Sequence, residues 1–253
     1  MSLLCLQRVT LEIGNTKILR SVDLALQAGE RLALIGPNGA GKSSLFDLIS
    51  GRNSDNAKIS GHIFLNQKEI SGLPPHQIAR QGLARSFQVS NVFTHLSVIE
   101  NLSCAVMWHL GCRYSFWRRF SQQKQIHEQT AQLLDAIGLN SQRNCIAGEL
   151  SYAEQRTLEM GMTVASGAHC ILLDEPTAGM SRSETEKTIA LIRALSTGKT
   201  LLMVEHDMQV VFELADRIAV MVHGEIIACD TPEKIRLNAK VQEAYLGHLE
   251  HAA

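Results

Sequence analysis

The residues best placed to do chemistry are Gly36-Pro37-Asn38-Gly39-Ala40-Gly41-Lys42-Ser43. They meet the phosphate-binding pattern G-x-x-x-x-G-K-[ST] at every fixed position. Three glycines let the backbone curl so that successive N–H groups point at phosphate oxygens. A helix starting at Lys42 would add the positive end of its dipole. Lys42 would reach the terminal phosphates, the Ser43 hydroxyl would ligate Mg²⁺, and Ser44 completes the cradle. ATP hydrolysis also needs a metal carboxylate, an oriented water and a sensor of the γ-phosphate. Asp174, after the apolar run Cys170 to Leu173, is placed to hold Mg²⁺. Glu175 is the candidate general base for the attacking water. His206 ends another apolar run and could hydrogen-bond the γ-phosphate. Gln88 also ends a strand-like stretch, where a neutral amide can ligate Mg²⁺ or position water.

These residues need strands that end together. Arg31 to Ile35 reads as a buried strand before the phosphate loop, and Ser44 to Ser50 has helical spacing. Leu6 to Ile13 and Ile18 to Leu26 read as strands around a turn at Gly14-Asn15-Thr16-Lys17. Ile59 to Asn66 is another strand. Pro75 suits a first helical turn through Gln81, and Gly82 to Gln88 is then extended. From about Asn91 to Gly148 the pattern is helical. Cys170 to Asp174 and Leu201 to Glu205 are buried strands, and Ile218 to Val222 is another. Ser183 with Glu186 reads as the capping box of a helix to Leu195. Met208 to Ala215 and the tail from Pro232 are helical. Alternation of strands and helices implies a mainly parallel sheet with ligands at the strand C-termini.

Bulk properties narrow the class. The chain has 253 residues and a net charge of −1, so nothing in bulk electrostatics argues for nucleic acid, and no nucleic-acid partner is expected. No uncharged apolar run approaches the roughly 18 residues of a membrane span. The first residues carry neither a basic segment nor a cleavage site of an export signal. The six cysteines form no C-x-x-C pair and no metal-ligand spacing, so reduced thiols in a cytoplasmic protein are expected.

The set as a whole resembles an ABC-type ATPase, the nucleotide-binding half of a transporter. The resemblance rests on residues 36–44, Gln88, Leu150-Ser151-Tyr152-Ala153-Glu154-Gln155-Arg156, residues 171–175, and Glu205-His206-Asp207-Met208. Val204 to Met208, Ala178-Gly179-Met180 and the ending Val241 to Gly247 are similar to the LivG-like subunits of branched-chain amino acid importers. Urea importer ATPases share several of these features. The implied fold is an α/β P-loop NTPase (RecA-like) core, made of 1–90 and 168–253. It carries an N-terminal antiparallel β portion and a helical subdomain inserted at 91–167. The resemblance implies two ATPase subunits closing head to tail over two ATPs. The signature Ser151, Tyr152, Ala153 and Glu154 of one subunit would then face the phosphate loop of the other. It also implies two transmembrane permease subunits, an extracytoplasmic solute-binding protein, and a place on the cytoplasmic face of the inner membrane. Urea or amide import, lipid or lipopolysaccharide export, and a soluble non-transport ATPase are the alternatives.

Four positions depart from the family pattern. Ile13 stands where an aromatic usually stacks on adenine. Tyr152 and Ala153 replace two small glycines of the signature. Ser181 stands where an aspartate is usual. Separately, Trp108, Tyr114, Phe116, Trp117 and Phe120 cluster with Arg113, Arg118 and Arg119. This cluster reads as a local core of the insert or as a docking surface for the membrane subunits.

Overall fold

A computed structural model describes residues 2–53, 56–86, 92–112 and 123–246. Two sheets share the core. The first holds β1 (Ser2–Ile13), β2 (Thr16–Gln27), β4 (Ala57–Leu65) and β5 (Lys68–Glu69), in the order β2-β1-β4-β5 and antiparallel throughout. The second has six strands in the order β10-β9-β3-β8-β7-β6. These are β3 (Arg31–Ile35), β6 (Leu83–Arg85), β7 (Cys170–Asp174), β8 (Thr200–Val204), β9 (Arg217–Val222) and β10 (Glu225–Asp230). All its pairings are parallel except β9 with β10.

The central strands are apolar without alternation because both faces are covered. Leu32 and Leu34 of β3 face the first sheet and helix α1 (Lys42–Ile49), in one core with Leu172, Leu202 and Met221. Ala33 and Ile35 face the other way, with Ile171, Met203 and Val220, against α6 (Arg182–Leu195) and α7 (Met208–Leu214). Side chains one residue apart thus enter two separate cores, as the pleat requires. A third core lies inside the inserted helices α3 (Val98–His109), α4 (Gln123–Ala136) and α5 (Tyr152–Ala165). The chain ends in α8 (Pro232–Arg236) and α9 (Ala239–Leu246), and α2 (Pro75–Arg80) begins at a proline as expected.

Several expectations change in detail. The capping box of α6 is Ser181 with Glu184, not Ser183 with Glu186. Both pairs fit the spacing, but the chain is extended at Ser181 and already helical at Ser183. Glu186 instead pairs with Arg182 one turn back, at 3.3 Å. The stretch expected to be helical from about Asn91 opens with non-helical residues before α3. Asn101, fully buried in α3, holds them there: its amide bonds Phe93 N–H and O, Leu96 O and Ser97 O. The strand β10 was not legible in advance. Its turn, His223-Gly224, needs two left-handed residues, with φ of 48° and 82°. Gly224 N–H donates to Ala40 O at 2.9 Å, so this hairpin supports the phosphate loop from below.

Candidate functional site

Strands β3, β8 and β7 are neighbours and parallel, so their C-terminal ends lie side by side. The phosphate loop follows β3, Glu175 follows β7, and Glu205 and His206 follow β8. One sheet edge therefore gathers residues separated by up to 170 positions in sequence.

The loop is shaped by close backbone approach. A Cβ at Gly36 would stand 2.0 Å from Met221 O, and one at Gly41, with φ of 104°, would stand 3.1 Å from Ile18 O. No other residue type fits the first, and the second also needs the left-handed conformation. α1 starts at Lys42, with Gly41 at its N-cap. Lys42 is buried, and its Nζ donates to Gly36 O at 2.7 Å and Pro37 O at 3.0 Å. Burial pushes its pKa down, against the pull of Glu175 and Asp174. Ser43 is exposed at the mouth of the loop.

Asp174 is buried at the end of β7, and its Oδ2 lies 2.9 Å from the Arg85 guanidinium. Arg85, at the end of β6, also bonds Asp47 Oδ1 on α1 at 2.6 Å and Ser50 Oγ, at the C-cap of α1, at 3.0 Å. Sequence reasoning passed over Arg85. The available signal was only a cation within a short apolar stretch.

Glu175 has φ of 47°, a left-handed backbone that a non-glycine residue holds at some cost. Its N–H donates to Val204 O at 2.9 Å, which extends the β7–β8 ladder past Asp174. Its Oε1 lies 3.2 Å from His206 Nε2. Two residues assigned separate roles in the sequence thus meet directly. Beneath them lies a residue that the sequence reading left without a role: the buried Glu205 accepts from Thr177 and from the backbone of His206.

The signature residues are placed elsewhere. Ser151 is the N-cap of α5, and its hydroxyl donates to Glu154 Oε2 at 2.7 Å. Ser151 N–H donates to the same oxygen, and Gln142 donates to Glu154 Oε1. The Ser151 hydroxyl is first among the groups that lower the Glu154 pKa, so the carboxylate is charged at neutral pH. Tyr152 is exposed, with the Arg156 guanidinium 5.7 Å above its ring. Ala153 lies in the first turn of the same helix. Among the described residues, 151–154 make no hydrogen bond to 36–44. Ser181 is likewise occupied, donating to Glu184 at 2.6 Å.

Ile13 closes β1 opposite Thr16 and Ala57 and is 41% exposed, an apolar side chain open to solvent. Gln88 lies outside the described residues, as do Arg113, Tyr114, Phe116, Trp117, Arg118, Arg119 and Phe120. Trp108 lies in the last turn of α3 and is 46% exposed. No disulfide joins the six cysteines among the described residues, and burial raises the Cys170 thiol pKa to about 12. No helix among the described residues is long and apolar enough to cross a membrane.

The geometry has counterparts in known proteins. A family model described as ABC transporter matches residues 19–178, and one described as branched-chain amino acid ATP-binding cassette transporter matches residues 225–251. The chain is 35% identical to the high-affinity branched-chain amino acid transport ATP-binding protein BraF of Pseudomonas aeruginosa, over 94% of this chain and 95% of that one. It is 36% identical to LivG of Escherichia coli, described in the same words, over 97% and 98%. Among solved structures, a nucleotide-free ATP-binding cassette from an ABC transporter superposes with a TM-score of 0.79. It has 26% identity and covers 97% of this chain and 99% of that one. The ADP conformation of the cassette MJ1267 gives a TM-score of 0.80 at 24% identity, covering 98% and 99% of the two chains. With one family model across most of its length and full-length relatives above a third identical, the chain belongs to the ABC transporter family of ATP-binding ATPases.

Proposed function

We propose that this ATPase powers uptake of branched-chain amino acids or closely related small solutes. The observation that carries the hydrolytic part is the meeting of the phosphate loop, Asp174, Glu175 and His206 at one sheet edge. The solute class rests on full-length similarity to BraF and LivG and on the match at residues 225–251.

Backbone N–H groups of 36–44 and the N-terminus of α1 bind the phosphates of ATP. Lys42 Nζ exchanges the loop carbonyls for phosphate oxygens. Ser43 and Asp174 offer hard oxygen donors that suit Mg²⁺, and the Asp174 carboxylate has the Arg85 guanidinium 2.9 Å away. Bound there, Mg²⁺ would neutralise charge on the phosphates. Gln88 is assigned a ligand or water-positioning role from sequence. Glu175 takes a proton from the attacking water, and His206 holds that carboxylate in place and reports on the γ-phosphate. Ser151 to Glu154 act on ATP held by a second ATPase subunit, while Ile13 covers the adenine. Two permease subunits and an extracytoplasmic binding protein complete the system, with this chain at the cytoplasmic face of the membrane. The ATPase makes no contact with nucleic acid.

Glu175→Gln tests the base. It keeps ATP affinity and loses turnover by roughly 10²-fold or more, the range for a positioned general base. Lys42→Ala loses affinity instead. For the solute, the gene is placed in a strain that lacks its own LivG-type ATPase, together with its neighbouring permease genes. Restored leucine uptake supports the assignment, and restored uptake of an unrelated solute alone overturns it.

A further inference from the structure

Glu205 follows β8 by one residue and is 3% exposed. A buried carboxylate is tolerated only where hydrogen bonds replace its water. Here the donors come from two different loops. Oε1 accepts from Thr177 N–H at 3.0 Å and from Thr177 Oγ1 at 2.7 Å. Oε2 accepts from His206 N–H at 3.0 Å and from Asp207 N–H at 3.5 Å. The first loop follows β7 and leads from Glu175 to Ser181, and the second carries His206. They leave neighbouring strands, since Asp174 pairs with Val204.

The two loops are therefore joined twice. At the surface, His206 Nε2 meets Glu175 Oε1, and both side chains are partly open to water. Below, the Glu205 carboxylate clamps the backbones on either side. Thr177 lies two residues past Glu175, whose left-handed φ of 47° needs such support. His206 is held at its own N–H. The ladder bond from Glu175 N–H to Val204 O already ties the Glu175 backbone to β8, and the clamp holds what that bond does not reach, the chain beyond Glu175 at Thr177 and the backbone of His206.

We infer that Glu205 is a positioning residue for hydrolysis. It touches no reacting atom. It sets the His206 ring against the Glu175 carboxylate and fixes the loop that runs on to Ser181. The inference rests on the reading of Glu175 as base and His206 as its partner.

The test uses the full chain, with ATP turnover and nucleotide affinity measured for Glu205→Gln, Thr177→Val, Thr177→Ser, His206→Ala and the doubles with His206→Ala. Glutamine keeps the size of Glu205, but its N–H₂ must face either the His206 and Asp207 N–H groups or the Thr177 N–H, none of which can accept. Turnover should fall about tenfold or more, as for small misplacement of a catalytic group, with ATP affinity unchanged. Thr177→Val should lose part of that rate, and Thr177→Ser should retain it. If Glu205 acts through His206, each double is no slower than His206→Ala alone, because residues acting as one unit are not additive. A general packing role would multiply the losses. Multiplied losses, or Glu205→Gln at the wild-type rate beside a slow His206→Ala, overturn the clamp alone. His206→Ala at the wild-type rate overturns the clamp together with the reading beneath it. Should Glu205→Gln fail to fold, the Thr177→Val pair decides by the same comparison.

Discussion

Arg85 illustrates how one side chain can prepare a site for a different charge. Its guanidinium joins Asp174 on β7 to Asp47 on α1 and to Ser50 at the C-cap of that helix. Removing one partner of a buried pair is strongly destabilising because the other charge is left desolvated. Asp174 is buried, whereas Asp47 is half open to water and loses little. Arg85→Met should therefore lower the melting temperature of the nucleotide-free chain by roughly 5–10 °C. Mg²⁺ with ATP should raise that temperature more in the variant than in the wild type, since the cation restores charge beside Asp174. Calorimetric melting with ATP plus either Mg²⁺ or a chelator checks this. An equal Mg²⁺ increment in both proteins would refute it. Ile13 raises the question of affinity rather than charge. A base–aromatic stack is worth about 1–3 kcal/mol, and an aliphatic side chain recovers part of it by burial. Ile13→Tyr should tighten ATP binding several-fold and leave hydrolysis per bound ATP unchanged. ATP and GTP should bind the wild type with similar affinity. Titration calorimetry with both nucleotides on both proteins is the check, and unchanged ATP affinity means that Ile13 does not face adenine.

Three helices begin with the same device, a serine N-cap and a glutamate three residues on: Ser97 with Glu100, Ser151 with Glu154, and Ser181 with Glu184. Hydrogen bonds from the serine lower each glutamate pKa. A depressed carboxylate pKa means stability that is present above the ordinary range near about 4.3 and lost as pH falls through the folded value. In α5 the device has a second consequence. The charge of Glu154 suits its own helix dipole, but it also captures the Ser151 hydroxyl proton that the proposed cross-subunit contact needs for phosphate. Glu154→Gln keeps the capping geometry and removes the charge. It should cost about 0.3–1 kcal/mol of folding stability and strengthen ATP-driven association. Thermal melting and sedimentation in ATP measure the two effects. Weaker association in the variant would show that the carboxylate aids the contact rather than competing with it.

In the whole molecule, the phosphate loop and the signature lie on different units of the fold and share no hydrogen bond among the described residues. On the proposed function a complete ATP site requires a second subunit, and the nucleotide would supply much of the contact. The chain should sediment as a monomer without nucleotide. It should dimerise with ATP in the Glu175→Gln background, where ATP is not consumed. A tight dimer that ignores nucleotide would count against this arrangement. The hairpin β9–β10 belongs to the same scale. Through Gly224 and Met221 it sets the floor on which the phosphate loop curls, although it lies some 180 residues downstream.

The sequence alone determined the motifs that depend on local chemistry. Glycines at 36, 39 and 41, the lysine after them, and the carboxylates after an apolar run carry their meaning in neighbouring residues. The doubly buried strands were legible for the same reason, since lack of alternation reports cover on both faces. Near-equivalent local choices were not legible. Ser181 and Ser183 both satisfy the capping pattern, and only the path of the preceding loop separates them. The short strand β10 has a weak pattern of its own and forms because β9 offers an edge. Arg85 and Thr177 have no motif to announce them, and Glu205 entered only as the neighbour of His206. Their roles arise from hydrogen bonds between segments 28 to 89 residues apart. Such partners come together only once strands β6, β7 and β8 lie in register, and tertiary structure alone sets that register.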